Sequence, residues 1–336
     1  MIRTLTVSTV FTSVLLAAAS PEPQMKAVLD QLKALGPKPL ETLTAAEARK
    51  QPTPADAVMT LLKKQGKSTA PQPVGKVEDR SIAGATGQIP ARLYWPAGAG
   101  PFPVLVYYHG GGWVIANKDV YDATPRALVN MANCLVVSVD YRQGPEHKFP
   151  AAHDDAWAAY EWVVKNAASI NGDPKRIAVG GESAGGNLAV ATAMAARDKK
   201  MPMPVYQMVV YPIAGYDMNT ASYQENAAAA PLSKPAMAWF FKNYLRSAAD
   251  GKDPRINLVG ADLTGLPPAT VITDQIDPLR SEGAMLADKL KAAGVAVDYR
   301  NYDGVAHEFF SMGAVVDKAR QAQQQAADGL KKAFAK

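Results

Sequence analysis

Three sets of residues in this chain could together run acyl-transfer chemistry: a serine between glycines, a histidine followed by glycines, and a late histidine with aspartates ahead of it. Gly181-Glu182-Ser183-Ala184-Gly185 fits the sharp strand-to-helix turn that lifts a serine hydroxyl above a parallel sheet, which makes Ser183 the candidate nucleophile. So tight a turn leaves no room for side chains beside the strand and helix, hence the glycines. The spacing alone recurs by chance in unrelated chains, so the flanking segments must decide. Arg176 to Gly180 reads as a short buried strand, and the run from Asn187 is rich in helix formers with apolar residues on successive turns. A helix beginning at Ala184 would aim free N–H groups and its positive end at the serine, where negative charge must develop.

His109-Gly110-Gly111-Gly112-Trp113 follows a β-rich run, Pro103 to Tyr108, that is expected to be an inner strand. Glycines just past a strand end expose unshielded backbone N–H groups, as an oxyanion hole requires. A phosphate-binding loop is the rival reading, but no Lys-Ser or Lys-Thr pair follows. Of the four histidines only His307 comes after Ser183, as the order nucleophile, acid, base demands, and it follows a strand-like run from Val297 to Tyr302. His109 belongs to the glycine motif, and His147 and His153 are expected to be hydrogen-bonded structural residues. The acid must lie between Ser183 and His307 at a strand end, where the chain offers Asp274 and Asp277. Asp274 also suits a strand cap and Asp277, before Pro278, a helix start, so spacing leaves both open.

The elements that must position these groups follow from length and pattern. At 336 residues and 48% hydrophobic, the chain predicts one large α/β domain with a small cap rather than two equal domains. A net charge of +5 without a long basic run argues against a nucleic-acid partner. Arg3 precedes an uncharged run from Thr4 to Ala19 that ends in small residues, the pattern of a signal peptide over 1–19 and of a periplasmic or secreted protein. That run is too short and too rich in Ser and Thr for a membrane span. The single cysteine, Cys134, is expected to be a buried strand residue without a disulfide partner.

Residues 20–75 read as short cap helices: Leu29, Leu32 and Leu35 recur at helical spacing before Gly36, and Thr44 with Glu47 and Thr53-Pro54 with Asp56 fit helix starts. The catalytic domain is expected over 76–336, with a second cap piece at about 214–245. Its Met237, Trp239, Phe240, Phe241 and Tyr244 either pack the cap on the sheet or line an acyl pocket.

Taken together, H-G-G-G-W from His109, V-D-Y-R-Q-G-P-E-H-K-F-P-A-A from Val139, G-E-S-A-G-G-N from Gly181, D-P-L-R-S-E-G from Asp277 and the late His307 resemble the hormone-sensitive-lipase-like esterases, the bacterial family IV branch of the α/β-hydrolases, over roughly residues 70 to 330. The resemblance implies a triad of Ser183, Asp277 and His307, with the N–H groups of Gly111, Gly112 and Ala184 as the oxyanion hole. It implies an eight-stranded, mostly parallel sheet flanked by helices under a helical cap. The expected activity is that of a serine carboxylesterase on short- to medium-chain acyl esters, with a small-molecule ester as partner and no cofactor or metal. An acetyl esterase for acetylated sugars, or an amide hydrolase, would share the triad, and a hydrolase-fold binding protein without turnover is the rival of a different class. In the family the residue matching Glu182 is a structural carboxylate. Two positions depart from the pattern: Glu308 follows His307 where glycine is common, a carboxylate expected to raise the histidine pKa, and Gln143-Gly144 replaces Leu-Ala, a change expected to affect packing rather than chemistry.

Overall fold

Eight strands form one sheet in the order β1-β2-β4-β3-β5-β6-β7-β8 in the computed structural model, which describes residues 19–335. They are β1 (Lys76–Ala83), β2 (Gln88–Trp95), β3 (Phe102–Tyr108), β4 (Leu135–Val139), β5 (Gly172–Glu182), β6 (Gln207–Val210), β7 (Ala269–Ile276) and β8 (Val297–Ala306). β2 runs antiparallel to β1 and β4, and all remaining neighbours are parallel. The inner strands are apolar on both faces, as covered parallel strands must be. On β3, Val104 and Val106 enter one core while Leu105 and Tyr107 enter the other.

Three helices precede the sheet: α1 (Pro23–Leu35), α2 (Ala45–Ala48) and α3 (Pro54–Lys64). The crossovers carry α4 (Ala123–Ala132), α5 (Ala151–Asn166), α6 (Ala184–Asp198), α7 (Ala221–Glu225), α8 (Lys234–Tyr244) and α9 (Arg280–Ala292), and α10 (Asp317–Phe334) follows β8. Residues of α4 and α10 fill the core on one face, and α5 and α6 fill much of the other. Both expected helix starts form, each closed by a capping box, at Thr44 with Glu47 and at Thr53 with Asp56, and Gly36 ends α1 in the left-handed region at φ 75°.

The strand order reverses at β3, which has β4 on one side and β5 on the other. The carboxyl ends of β3 and β5 therefore flank a crevice at a topological switch point, where open α/β sheets bind ligands. Both glycine motifs sit there, one directly after β3 and the other spanning the end of β5 and the start of α6.

Some expectations are corrected. Cys134 is fully buried but lies one residue ahead of β4, because α4 ends at Ala132 and the chain turns through Asn133 first. The segment between β6 and β7 holds α7 and α8 within residues 214–245 and runs on through short helical turns at Ala248–Lys252 and Leu258–Gly260, which have no helical periodicity to announce them. Nearly all of the expected signal segment, residues 1–18, lies outside the described residues. Among the described residues no helix is long and apolar enough to cross a membrane.

Candidate active site

Ser183 sits between the end of β5 and the start of α6, with φ 57° and ψ −118°, a conformation that a residue with a β-carbon adopts only under constraint. The constraint is visible: its N–H donates to the Val210 carbonyl at 2.8 Å and its own carbonyl accepts from Asn187 and Ile213. A β-carbon on Gly185 would collide with the Tyr108 carbonyl, so the helix can approach β3 only through glycine.

His307 follows the last residue of β8, and its Nε2 lies 3.0 Å from Ser183 Oγ. Its Nδ1 donates to Asp277 Oδ2 at 2.7 Å, which leaves Nε2 to accept the serine proton. Asp277 also accepts the Leu279 N–H on Oδ1 at 2.8 Å, so one side chain opens the turn into α9 and orients the imidazole. All three side chains are buried. The structure thus separates the two aspartates that spacing left open. Asp274 lies within β7 rather than capping it, and neither of its oxygens has a hydrogen-bond partner. Burial, reinforced by the neighbouring Asp277 carboxylate, pushes the Asp274 pKa well above the usual carboxylate range. Asp274, Asp277 and His307 could also offer a cation three ligand atoms within 4.8 Å of one another, but two of those residues are already joined in the 2.7 Å hydrogen bond.

The glycine loop after β3 closes the site from the other side. Among the described residues none of the N–H groups of Gly111, Gly112 and Ala184 donates a hydrogen bond within the protein's turns and loops. Gly112 has φ 58°, and a β-carbon there would strike the Phe240 ring, so the loop passes under α8 only as glycine. His109 props the loop: its Nδ1 donates to the Gly110 carbonyl at 2.7 Å, and Tyr141 stacks on its ring while donating to the His109 carbonyl at 2.8 Å. Gln143, one of the departures, donates from Nε2 to the carbonyls of Ile115 and Ala116, both at 3.0 Å, and so braces this loop. His153 is the structural residue expected, held between the Tyr244 hydroxyl at 2.8 Å and Asn187 Oδ1 at 2.9 Å, with burial lowering its pKa to about 4. His147 is not: the turn after Gly144 projects its ring into solvent, and it makes no side-chain hydrogen bond among the described residues.

The carboxylates around the base are more numerous than the motifs suggest. Glu182 is fully buried and accepts hydrogen bonds from the Tyr107 and Tyr211 hydroxyls, one on each oxygen, while the Tyr211 ring lies 4.6 Å from that of His307. Burial raises the Glu182 pKa to about 7, with the Glu308 charge adding to it and the tyrosine hydroxyls opposing. Glu308 accepts from the Tyr121 hydroxyl at 2.6 Å and places Oε1 3.9 Å from His307 Nε2. Burial alone would lower the His307 pKa, but Asp277 through charge and hydrogen bond, then Glu308 and Glu182, outweigh it and raise the pKa above the usual imidazole value.

Ser183 and His307 open into a cavity of about 560 Å³ whose wall is mainly apolar, with Leu29, Leu40, Ile115, Met237 and Phe240 among its lining. Of the aromatic cluster on α8, Phe240 reaches the cavity with Met237, whereas Tyr244 stacks on Trp113 and Trp239 donates to the Leu43 carbonyl at 2.9 Å. That bond ties α8 to the segment before α2. Arg49, just past α2, binds both Glu146 oxygens and the carbonyls of Val114 and Gly144, fastening the same segment to the glycine loop.

Comparison with known proteins agrees with this geometry. A family model described as the α/β hydrolase fold matches residues 105–311. Carboxylesterase NlhH of Mycobacterium tuberculosis is 41% identical over 266 residues, covering 77% of this chain and 83% of that protein. An ethyl acetate hydrolase of Pseudomonas putida is 33% identical over 286 residues, covering 84% and 88%. Among solved structures, an esterase from Pyrobaculum calidifontis has a TM-score of 0.84 at 37% identity, covering 93% of this chain and 98% of that one. A thermostable esterase from Pseudomonas putida ECU1011 gives 0.85 at 33% identity, covering 94% and 98%. A serine elbow and a glycine loop at the switch point of an eight-stranded sheet define an α/β hydrolase, and this chain belongs to that family. Its branch is the hormone-sensitive-lipase-like one, family IV, whose members are carboxylic ester hydrolases.

Proposed function

We propose that the protein is a serine carboxylesterase that hydrolyses short- to medium-chain acyl esters through an acyl-enzyme. The observation that carries this reading is the unbroken line from Ser183 Oγ through His307 to Asp277, at 3.0 and 2.7 Å, opening into the apolar cavity. His307 Nε2 takes the serine proton as Oγ attacks the ester carbonyl, Asp277 stabilises the imidazolium, and the same nitrogen returns the proton to the departing alcohol. The unengaged N–H groups of Gly111, Gly112 and Ala184 receive the oxyanion, Ala184 adding the positive end of α6. Water then repeats the sequence on the acyl-enzyme. A cavity of about 560 Å³ under α1 to α3 and α8, which act as the cap, favours acyl chains of modest length over long ones.

The test is a series of p-nitrophenyl esters from acetyl to palmitoyl, run beside a fluorophosphonate probe. Turnover that peaks among the short and medium chains, with one labelled serine, is expected. Neither turnover nor label would mean a binding protein on a hydrolase fold. The sequence pattern over 1–19 supports export to the periplasm or medium; the N-terminal residue of protein recovered from expressing cells, read by mass spectrometry, tests it, and an intact Met1 would contradict it.

A further inference from the structure

Glu308 stands where the backbone is left-handed, at φ 74°, a conformation natural to glycine and costly for a residue with a β-carbon. A long acidic side chain kept at such a position points to work done by the side chain. The carboxylate lies 3.9 Å from His307 Nε2, on the side of the ring that faces Ser183, whereas Asp277 holds the opposite nitrogen. Nε2 is the atom that hands its proton to the departing alcohol, so Glu308 sits beside the alcohol half of a bound ester rather than its acyl half. Tyr121 occupies Oε1 at 2.6 Å; Oε2 receives no hydrogen bond from the described residues. The side chain is 17% exposed and lines the same cavity as Ser183, whose wall also includes the apolar Val120, Met237 and Phe240.

We propose that Glu308 is a specificity-determining residue that selects esters whose alcohol carries a hydroxyl on the carbon next to the ester-bearing one, as in monoesters of polyols and sugars. With the carboxylate 3.9 Å from Nε2, an ester oxygen near Nε2 brings a hydroxyl on the adjacent carbon beside that carboxylate, and the hydroxyl supplies the donor that Oε2 lacks. A plain alkyl alcohol would leave the acceptor desolvated and unpaired. The inference rests on the esterase reading above and names the alcohol that this reading leaves open.

The experiment compares kcat/KM for 2-hydroxyethyl acetate and ethyl acetate, each divided by its hydroxide-catalysed rate, in the wild type, Glu308→Gly and Glu308→Gln. Glycine fits the backbone, and glutamine keeps the shape while removing the charge. The wild type is expected to favour the hydroxylated ester by roughly tenfold, the worth of a hydrogen bond to a charged group. The preference should vanish in Glu308→Gly and shrink in Glu308→Gln. A role confined to supporting His307 would slow both esters alike and leave the ratio where it was; that result, or a wild type indifferent to the hydroxyl, overturns the proposal. Should Glu308→Gly not fold, an unchanged ratio in Glu308→Gln overturns it equally. Failure of the esterase reading looks different: the wild type would then hydrolyse neither acetate nor p-nitrophenyl acetate and take no fluorophosphonate label.

Discussion

Asp277 and His307 are joined at 2.7 Å, and the bond uses the carboxylate oxygen that the α9 turn leaves free, since the other accepts the Leu279 N–H. Asp274, on the same strand end and equally buried, has no such bond. The two aspartates should therefore respond very differently to the same change. Asp277→Asn is expected to lower kcat by roughly 10⁴, by spoiling the tautomer and the stabilisation of the imidazolium. Asp274→Asn, which keeps the shape of a side chain that holds no partner, should stay within about tenfold of wild type. Steady-state kinetics with p-nitrophenyl acetate distinguish them, and the reverse order would move the acid to Asp274.

Glu182 is a neighbour of the nucleophile with a structural task. Glu182→Ala strands the Tyr107 and Tyr211 hydroxyls in the core, at about 1–3 kcal/mol for each, and opens a cavity besides. Chemical denaturation should show that loss, whereas Glu182→Gln should recover much of it. The folded pKa of about 7 is raised above the ordinary 4.5, so the native state binds this proton more tightly than the unfolded chain. Its stabilising contribution is complete below about 4.5 and is lost as the pH rises through about 7, amounting to at most roughly 3 kcal/mol. The stability of wild type minus that of Glu182→Gln should fall over this window. A difference flat from pH 4 to 8 would refute the assignment.

The pH dependence of turnover follows from the carboxylates around His307. The base works only when neutral, so kcat/KM must rise as the pH passes the His307 pKa. Asp277, Glu308 and Glu182 raise that pKa, which sets the acid limb above the usual imidazole value of about 6.5. Glu308→Gln removes one of those charges, and the limb should move to lower pH. A rate profile with an activated ester reads both effects.

Gly112 carries a prediction about the loop. Gly112→Ala adds a β-carbon that meets Phe240 and must hold φ at 58°, so the loop has to shift and take its N–H groups with it. Loss of one oxyanion donor is worth roughly 10² to 10³ in kcat. KM for a small acetate should move much less, and a fall in kcat under tenfold would argue against this loop as the oxyanion site.

Much of this site was legible in the residues because the chemistry constrains local sequence. The turn at Ser183 needs glycine where the helix crosses β3, and the loop after β3 needs glycine under α8, so both leave marks that spacing can find. His307 was found by order along the chain. Asp277 was not fixed by spacing, because a strand end and a helix start use aspartate for their own reasons; the resemblance chose it and the 2.7 Å bond to His307 agrees. The tyrosines that support Glu182 left no mark. Tyr107 reads as an ordinary strand former, and its meeting with Tyr211 at one carboxylate depends on β3, β5 and β6 lying side by side. Tyr121 and Glu308 are 187 residues apart, and only the closed fold makes them partners. His147 was misjudged because it was read together with His153 as one stretch, although Pro145, Glu146 and His147 form an exposed turn and burial begins only at Phe149.

The central claim is that Ser183 Oγ forms the acyl-enzyme with His307 as its base. The most direct measurement is kcat of purified, folded Ser183→Ala with p-nitrophenyl acetate. A fall of roughly a thousandfold or more is predicted, and near-normal turnover would contradict the account.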